Sequence, residues 1–172
     1  MRVLIVGVGG IGSFLGSYLL KGGFDLTFIA RGKRYKELKQ NGLKLFSDLG
    51  NIYIKNIEVL EEIKSNQSFD IILNTVKLYD FDFTLKEIKD KIKGSPIILP
   101  FQNGIYAEEK LRITDYYKQI FGAVAQISVF IENNNDIKHV GKLATFFVGC
   151  YDGNSNDVLN KFCKRLTLIT SG

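Results

Sequence analysis

The sequence predicts an α/β fold built on a mostly parallel, doubly wound sheet with an antiparallel edge segment, and three observations support it. A short β-branched run over residues 2–6 ends at once in glycines. Apolar residues at helical spacing follow it, Ile11, Leu15, Tyr18 and Leu19. A second apolar strand is reached at 26–30, so strand, helix and strand fit into about 30 residues, the size of one βαβ unit. The length of 172 residues and 45% hydrophobic content suffice for one domain with a core.

The remaining elements follow in order. The first helix spans 11–20, and Gly22-Gly23 suits the left-handed turn just past its end. A basic helix is expected over 33–40, stopped by Asn41-Gly42. Alternation over 43–59, with turn residues at Asp48 and Gly50-Asn51, reads as a small hairpin inserted before the next core strand at 70–76. A helix over 84–93 carries Leu85, Ile88 and Ile92 on one face and stops at Gly94. A buried strand at 96–99 and a helix at 107–113 come next. The long apolar stretch 119–131, the turn 133–136 and strands at 137–139 and 142–148 predict the antiparallel edge. A last helix at 156–166 places Val158, Leu159, Phe162 and Leu166 inward, followed by a strand-like 166–169.

Composition excludes several function classes. No apolar run approaches the roughly 20 residues needed to span a bilayer, and the start is not a signal peptide, so no membrane role and a cytoplasmic location are expected. Cys150 and Cys163 lack CxxC spacing and His139 is the one histidine, which leaves no metal site; free thiols are favoured over a disulfide. The net charge is +5 and the pI about 9.1, yet the lysines of 33–93 alternate with acids and form no dense block, so nucleic-acid binding is not expected.

Chemistry concentrates at strand ends. Gly7-Val8-Gly9-Gly10-Ile11-Gly12 is a GxGxxG loop that directly follows a strand and opens a helix, the context a Rossmann dinucleotide site requires. Gly7 permits the tight turn, Gly9 lets the backbone approach a pyrophosphate, and Gly12 lets the helix lie close to the sheet. Free N–H groups at the helix start favour the phosphates. The competing reading is a glycine-rich packing turn. At the end of the second strand stands Ala30-Arg31-Gly32-Lys33-Arg34 instead of the acid expected for ribose hydroxyls. Arg31 can grip a 2′-phosphate, which indicates NADP(H), and Lys33 or Arg34 can add a second cation. Two further loops, Asn74-Thr75-Val76-Lys77 and Phe101-Gln102-Asn103-Gly104, close strands on the same edge. Lys77 can donate to a ribose or to substrate oxygens, and Asn103 can bridge cofactor and substrate; alone, each reads equally as a surface lysine and a turn asparagine.

Together these segments resemble the ketopantoate reductase (2-dehydropantoate 2-reductase) family, and His139-Val140-Gly141 closing at Val148-Gly149 is similar to that family's antiparallel segment. The resemblance covers residues 1–149. It implies hydride transfer from NADPH to the ketone of a small 2-keto acid, giving pantoate for pantothenate and coenzyme A synthesis. Gly7, Val8, Gly9, Gly10, Ile11, Gly12 and Arg31 then hold the cofactor, Lys77 and Asn103 contact the nicotinamide end and substrate, and Ser128 lies near the nicotinamide. The family carries its principal catalytic lysine and a carboxylate in a helical second domain, so no catalytic residue is assigned here. Residues 1–166 are expected to form the NADP-binding domain and 167–172 the start of a truncated connection, the helical domain being absent and the chain catalytically incomplete. The alternatives are a reductase of another 2-keto acid and a stand-alone NADP(H)-sensing module; a methyltransferase is weaker for want of the ribose-binding acid. Apolar surface left uncovered by a missing domain makes a homodimer a further expectation.

Overall fold

In the computed structural model, residues 1–113, 120–132 and 135–170 are described, 168–170 by backbone alone. Strand β1 (Arg2–Val6) leads through the glycine loop into α1 (Gly10–Lys21), then β2 (Asp25–Ile29) and α2 (Gly32–Asn41). The hairpin β3 (Leu43–Ser47) and β4 (Ile52–Ile54) precedes β5 (Glu58–Leu60), the two-residue β6 (Gln67–Ser68), β7 (Ile71–Asn74) and α3 (Leu78–Lys91). The chain continues through β8 (Ile92–Lys93), β9 (Ile97–Pro100), α4 (Tyr106–Ile113), β10 (Phe121–Ile131), β11 (Ile137–Cys150) and α5 (Asp157–Thr170).

The main sheet runs β5-β2-β1-β7-β9 with every pair parallel. Residues 3–6 of β1 are all buried, as a strand covered on both faces requires. Val3 and Ile5 join the core shared with α1, while Leu4 and Val6 join the core beneath α3 and α4. A second sheet, β10-β11-β3-β4, is mixed: β10 and β11 form a long antiparallel ribbon, and β11 pairs parallel with β3. Helix α1 is wedged between the two sheets. Its residues 12–19 are all buried, so it is covered all round rather than along one stripe. Arg165 of α5 donates to the carbonyls of Gly22 and Gly23 (both 2.8 Å) and lies over the Phe24 ring, which ties the last helix to the end of α1.

The fold class is the expected one, with four local corrections. Residues 58–60, expected to close the hairpin, form instead the edge strand of the parallel sheet, paired with β2 from Thr27↔Glu58 to Ile29↔Leu60. Helix α3 begins at Leu78 rather than residue 84, because its buried stripe starts at Phe81 and continues through Leu85 and Ile88. The strands expected at 137–139 and 142–148 are one continuous β11; Gly141 absorbs the bend at φ +83°, and its N–H is held by Asp48 at 2.8 Å. The strand-like 166–169 is helical: Leu159, Phe162, Cys163 and Leu166 continue one helical stripe into the core, and that period overrides the local β-branched composition. The expected boundary after residue 166 thus falls inside α5. Residue 119 and the turn residues 133–134 lie outside the described residues.

His139 is a core histidine, 1% exposed, packed on the Phe14 ring. The Ser47 hydroxyl donates to its Nδ1 at 2.8 Å, and its Nε2–H donates to the Leu143 carbonyl at 3.1 Å. Both cysteines are free thiols, pushed up in pKa chiefly by burial.

One buried acid makes stability depend on pH. Glu108 of α4 is 6% exposed, and its Oε2 finds no partner among the described residues. Burial raises its pKa against the opposing pull of its own backbone N–H and that of Ala123. The native state therefore binds a proton more readily than the unfolded state, and stability falls as pH rises from the ordinary carboxylate value through the raised one. Glu108→Gln is expected to melt about 2–4 °C above wild type at pH 7, on the order of 1 kcal/mol, with the gap closing below about pH 4. A gap of constant size across that range in thermal melts contradicts this.

Candidate dinucleotide-binding cleft

The carboxyl ends of the main-sheet strands lie side by side because the register aligns them. Val6 pairs with Ile29 on one side and with Asn74 on the other, and Asn74 pairs with Pro100. The backbone then continues the ladder: Gly7 N–H donates to Ile29, Thr75 N–H to Val6, and Phe101 N–H to Asn74. In chain order the parallel strands run third, second, first, fourth, fifth, so the connections diverge between β1 and β7, the switch point where open α/β sheets bind ligands. A cleft of about 580 Å³ opens there, its lining including Gly7, Val8, Gly9, Arg31, Lys77 and Asp80.

The loop glycines serve different ends. Gly7 takes φ +92°, and an added Cβ would lie 2.7 Å from the Val76 nitrogen. A Cβ on Gly12 would stand 2.3 Å from the Gly7 carbonyl oxygen and 2.5 Å from Thr75 Oγ1, so α1 approaches the sheet as closely as backbone allows. A Cβ on Gly10 would meet the Val129 carbonyl at 2.7 Å, which makes that residue a packing contact with β10. Around a Cβ on Gly9 there is nothing within 4 Å, and Gly9 faces the cleft. Gly9 is also the N-cap of α1, with no side-chain cap and no acid in the first turn. Uncapped N–H groups beside an open backbone fit the pyrophosphate of a dinucleotide.

Cationic side chains surround the loop, with two distinct functions. Arg34 commits three of its five N–H donors to the protein: Nε donates to the Val8 carbonyl at 3.0 Å, Nη2 to Ser13 Oγ at 3.0 Å and Nη1 to the Asn135 carbonyl at 3.1 Å. It staples the glycine loop, α1 and the β10–β11 turn together, and burial depresses its pKa. Lys33 and Arg34, the two residues anticipated to add a second cation, both line the cleft, Arg34 with most of its donors engaged by the protein. Arg31 lies in the cleft wall, stacked over the Phe83 ring at 4.6 Å and ion-paired with Glu87, its side chain 49% exposed. Neither Phe83 nor Glu87 was anticipated at this site; they stand 52 and 56 positions along the chain, on α3.

Lys77 is exposed in the cleft wall and is the N-cap of α3. Asn103 is exposed three residues past Pro100, as Lys77 is three past Asn74, so both sit on loops leaving adjacent strands, but Asn103 does not line the cleft itself. Buried Gln102 ties the two loops, donating from Nε2 to the carbonyls of Asn74 (3.1 Å) and Val76 (2.9 Å). Gln102 Oε1 and Asn74 Nδ2 find no partner among the described residues. Ser128 is exposed at the irregularity in the β10–β11 register, next to the Val129 that meets Gly10. It too stands outside the cleft wall.

A five-stranded parallel sheet in this order, with a glycine loop at its switch point, defines a Rossmann-type domain. The family model of ketopantoate reductase PanE/ApbA matches residues 3–153. This chain belongs to that family. It is 31% identical over 153 residues to the uncharacterized oxidoreductase YkpB of Bacillus subtilis, covering 89% of this chain and 50% of that protein. It is also 31% identical over 153 residues to a 2-dehydropantoate 2-reductase of Archaeoglobus fulgidus, covering 88% and 48%. The crystal structure of a 2-dehydropantoate 2-reductase from Geobacter metallireducens superposes with a TM-score of 0.87 at 23% identity, over 98% of this chain and 56% of that one. The chain spans about half the length of the curated relatives it matches. No helix among the described residues is long and apolar enough to cross a membrane.

Proposed function

We propose that this chain binds NADP(H) and forms the cofactor half of a reductase that converts a small 2-keto acid, ketopantoate foremost, to the hydroxy acid. The observation that carries this reading is the cleft itself: an open Gly9 beside an uncapped helix start, with Arg31 and no acid at the end of β2. In this reading the amides around Gly9 hold the pyrophosphate and Arg31 holds the 2′-phosphate. Lys77 orients the nicotinamide ribose or the keto acid's oxygens, with Asn103 and Ser128 bordering the nicotinamide end. When bound, the nicotinamide supplies the hydride. Reduction also needs a proton for the developing alkoxide, and Lys77 contributes positive charge there without being assigned as the acid.

The same proposal makes residues 1–166 the cofactor-binding part. It also lets copies associate through the exposed apolar side chains Val124, Leu143 and Phe147 on the β10–β11 ribbon. Its name-giving relatives support ketopantoate over other 2-keto acids.

The test is calorimetric. Wild type is expected to bind NADPH tighter than NADH. Arg31→Ala is expected to weaken NADPH about 100-fold, about 2.7 kcal/mol, and NADH less than about 3-fold. Equal affinity of wild type for the two cofactors sinks the NADP(H) assignment.

A further inference from the structure

The Arg31 guanidinium does not stand free. Its Nη2 bonds Glu87 Oε2, and the other carboxylate oxygen, Oε1, accepts from Lys91 Nζ at 3.1 Å. Lys91 also reaches Glu62 at 3.1 Å. Two cations and two anions thus close a local network, formally neutral at the very point where the cleft should present a positive charge. The network is not a loose surface contact: the Glu87 side chain is 13% exposed and Lys91 24%, while Phe83 supplies a floor for the guanidinium. Glu87 itself is not part of the cleft wall, whereas Arg31 is.

We infer that Glu87 is a specificity-determining residue that masks Arg31 and so moderates the cleft's preference for a 2′-phosphorylated dinucleotide over an unphosphorylated one. This rests on the NADP(H) reading above. The physical argument has two parts. A phosphate dianion reaching Arg31 competes with a carboxylate that already holds one of its terminal nitrogens. Where guanidinium keeps both partners, the dianion still lies within a few ångströms of a half-buried negative charge, in surroundings that screen less than bulk water. Either route weakens NADPH and leaves NADH, which has only hydroxyls there, nearly unaffected. Glu87 acts through Arg31 and therefore changes cofactor preference rather than the glycine-loop contacts common to both.

The experiment is calorimetric titration of the chain with NADPH and with NADH, at low and at high salt, for wild type and Glu87→Gln. Glutamine keeps an acceptor for Arg31 and removes the charge. NADPH is expected to bind about 10-fold tighter, about 1.4 kcal/mol, with NADH within about 2-fold and the gain reduced at high salt. Glu87→Leu, which keeps the aliphatic stem on the helix, is expected to shift affinity in the same direction if the glutamine variant does not fold. NADPH affinity unchanged or weakened in the folded variant overturns the inference, a weakening meaning that Glu87 positions Arg31 instead. Arg31→Ala separates this from failure of the underlying reading: if wild type binds both cofactors equally and removing Arg31 changes neither, the NADP(H) reading falls and the inference with it.

Discussion

Replacing Gly9 by valine is expected to weaken dinucleotide binding by at least about 100-fold while the melting temperature stays within about 2 °C of wild type. The two halves of that expectation come from one geometric fact. A Cβ at Gly9 meets nothing within 4 Å in the protein, so the folded chain has no steric objection to a side chain there. The backbone at Gly9 is extended, φ −79° and ψ −161°, a conformation β-branched residues adopt readily. The space the side chain enters is the cleft at the start of α1, where the proposed function brings the pyrophosphate within hydrogen-bond reach of main-chain N–H groups. Three added carbons hold the phosphates off those donors, and 100-fold corresponds to about 2.7 kcal/mol, the size of one or two charge-assisted hydrogen bonds. Titration by NADPH fluorescence and thermal melts of both proteins check it. Wild-type affinity in the valine protein would mean that the dinucleotide does not lie across Gly9.

The sheet and the glycine loop were legible because both depend on short-range pattern. Residues 3–6 and 97–99 are continuous apolar runs, and the three motif glycines sit between a strand and a helix. What escaped depends on partners far along the chain. Residues 58–60 look like the end of a hairpin, since only pairing with β2 distinguishes them as a sheet edge. Residues 166–169 look like a strand because four neighbours cannot show that Leu166 continues the stripe begun at Leu159. Arg31 was legible as a cation at the right place, but Glu87 was not legible as its partner. Helix α3 places Phe83 and Glu87 one turn apart, facing β2's end, only once β7 has been inserted between β1 and β9. Arg34 is the converse case: charge alone made it a candidate for phosphate, whereas three of its five N–H donors already go to protein acceptors. Sequence reports which charges are near a site, and tertiary pairing decides which remain available to a ligand.

The other motif glycine carries the opposite expectation. Gly12→Ala is expected to destabilise the chain by about 3 kcal/mol or more, lowering the melting temperature by about 6–12 °C, and to lose cofactor binding only as a consequence. The methyl group would enter space 2.3 Å from the Gly7 carbonyl oxygen, 2.5 Å from Thr75 Oγ1 and 3.2 Å from the Ile5 side chain. Relief would require either the loop or the helix to move. The Gly7 carbonyl is held by the Thr75 hydroxyl, and Gly7 itself is pressed against Val76, so the loop has nowhere to retreat. The helix is blocked on its far side by β10, where Gly10 already lies against the Val129 carbonyl, and along its length by Phe28 against Gly16. An alanine protein that melts within 2 °C of wild type would show that α1 can slide between the two sheets, and the rigid wedge inferred from its all-round burial would have to be given up. The contrast with Gly9 separates two parts of the motif: three residues apart, one glycine leaves open the space that the proposed function gives to a ligand, and the other lets two pieces of backbone touch.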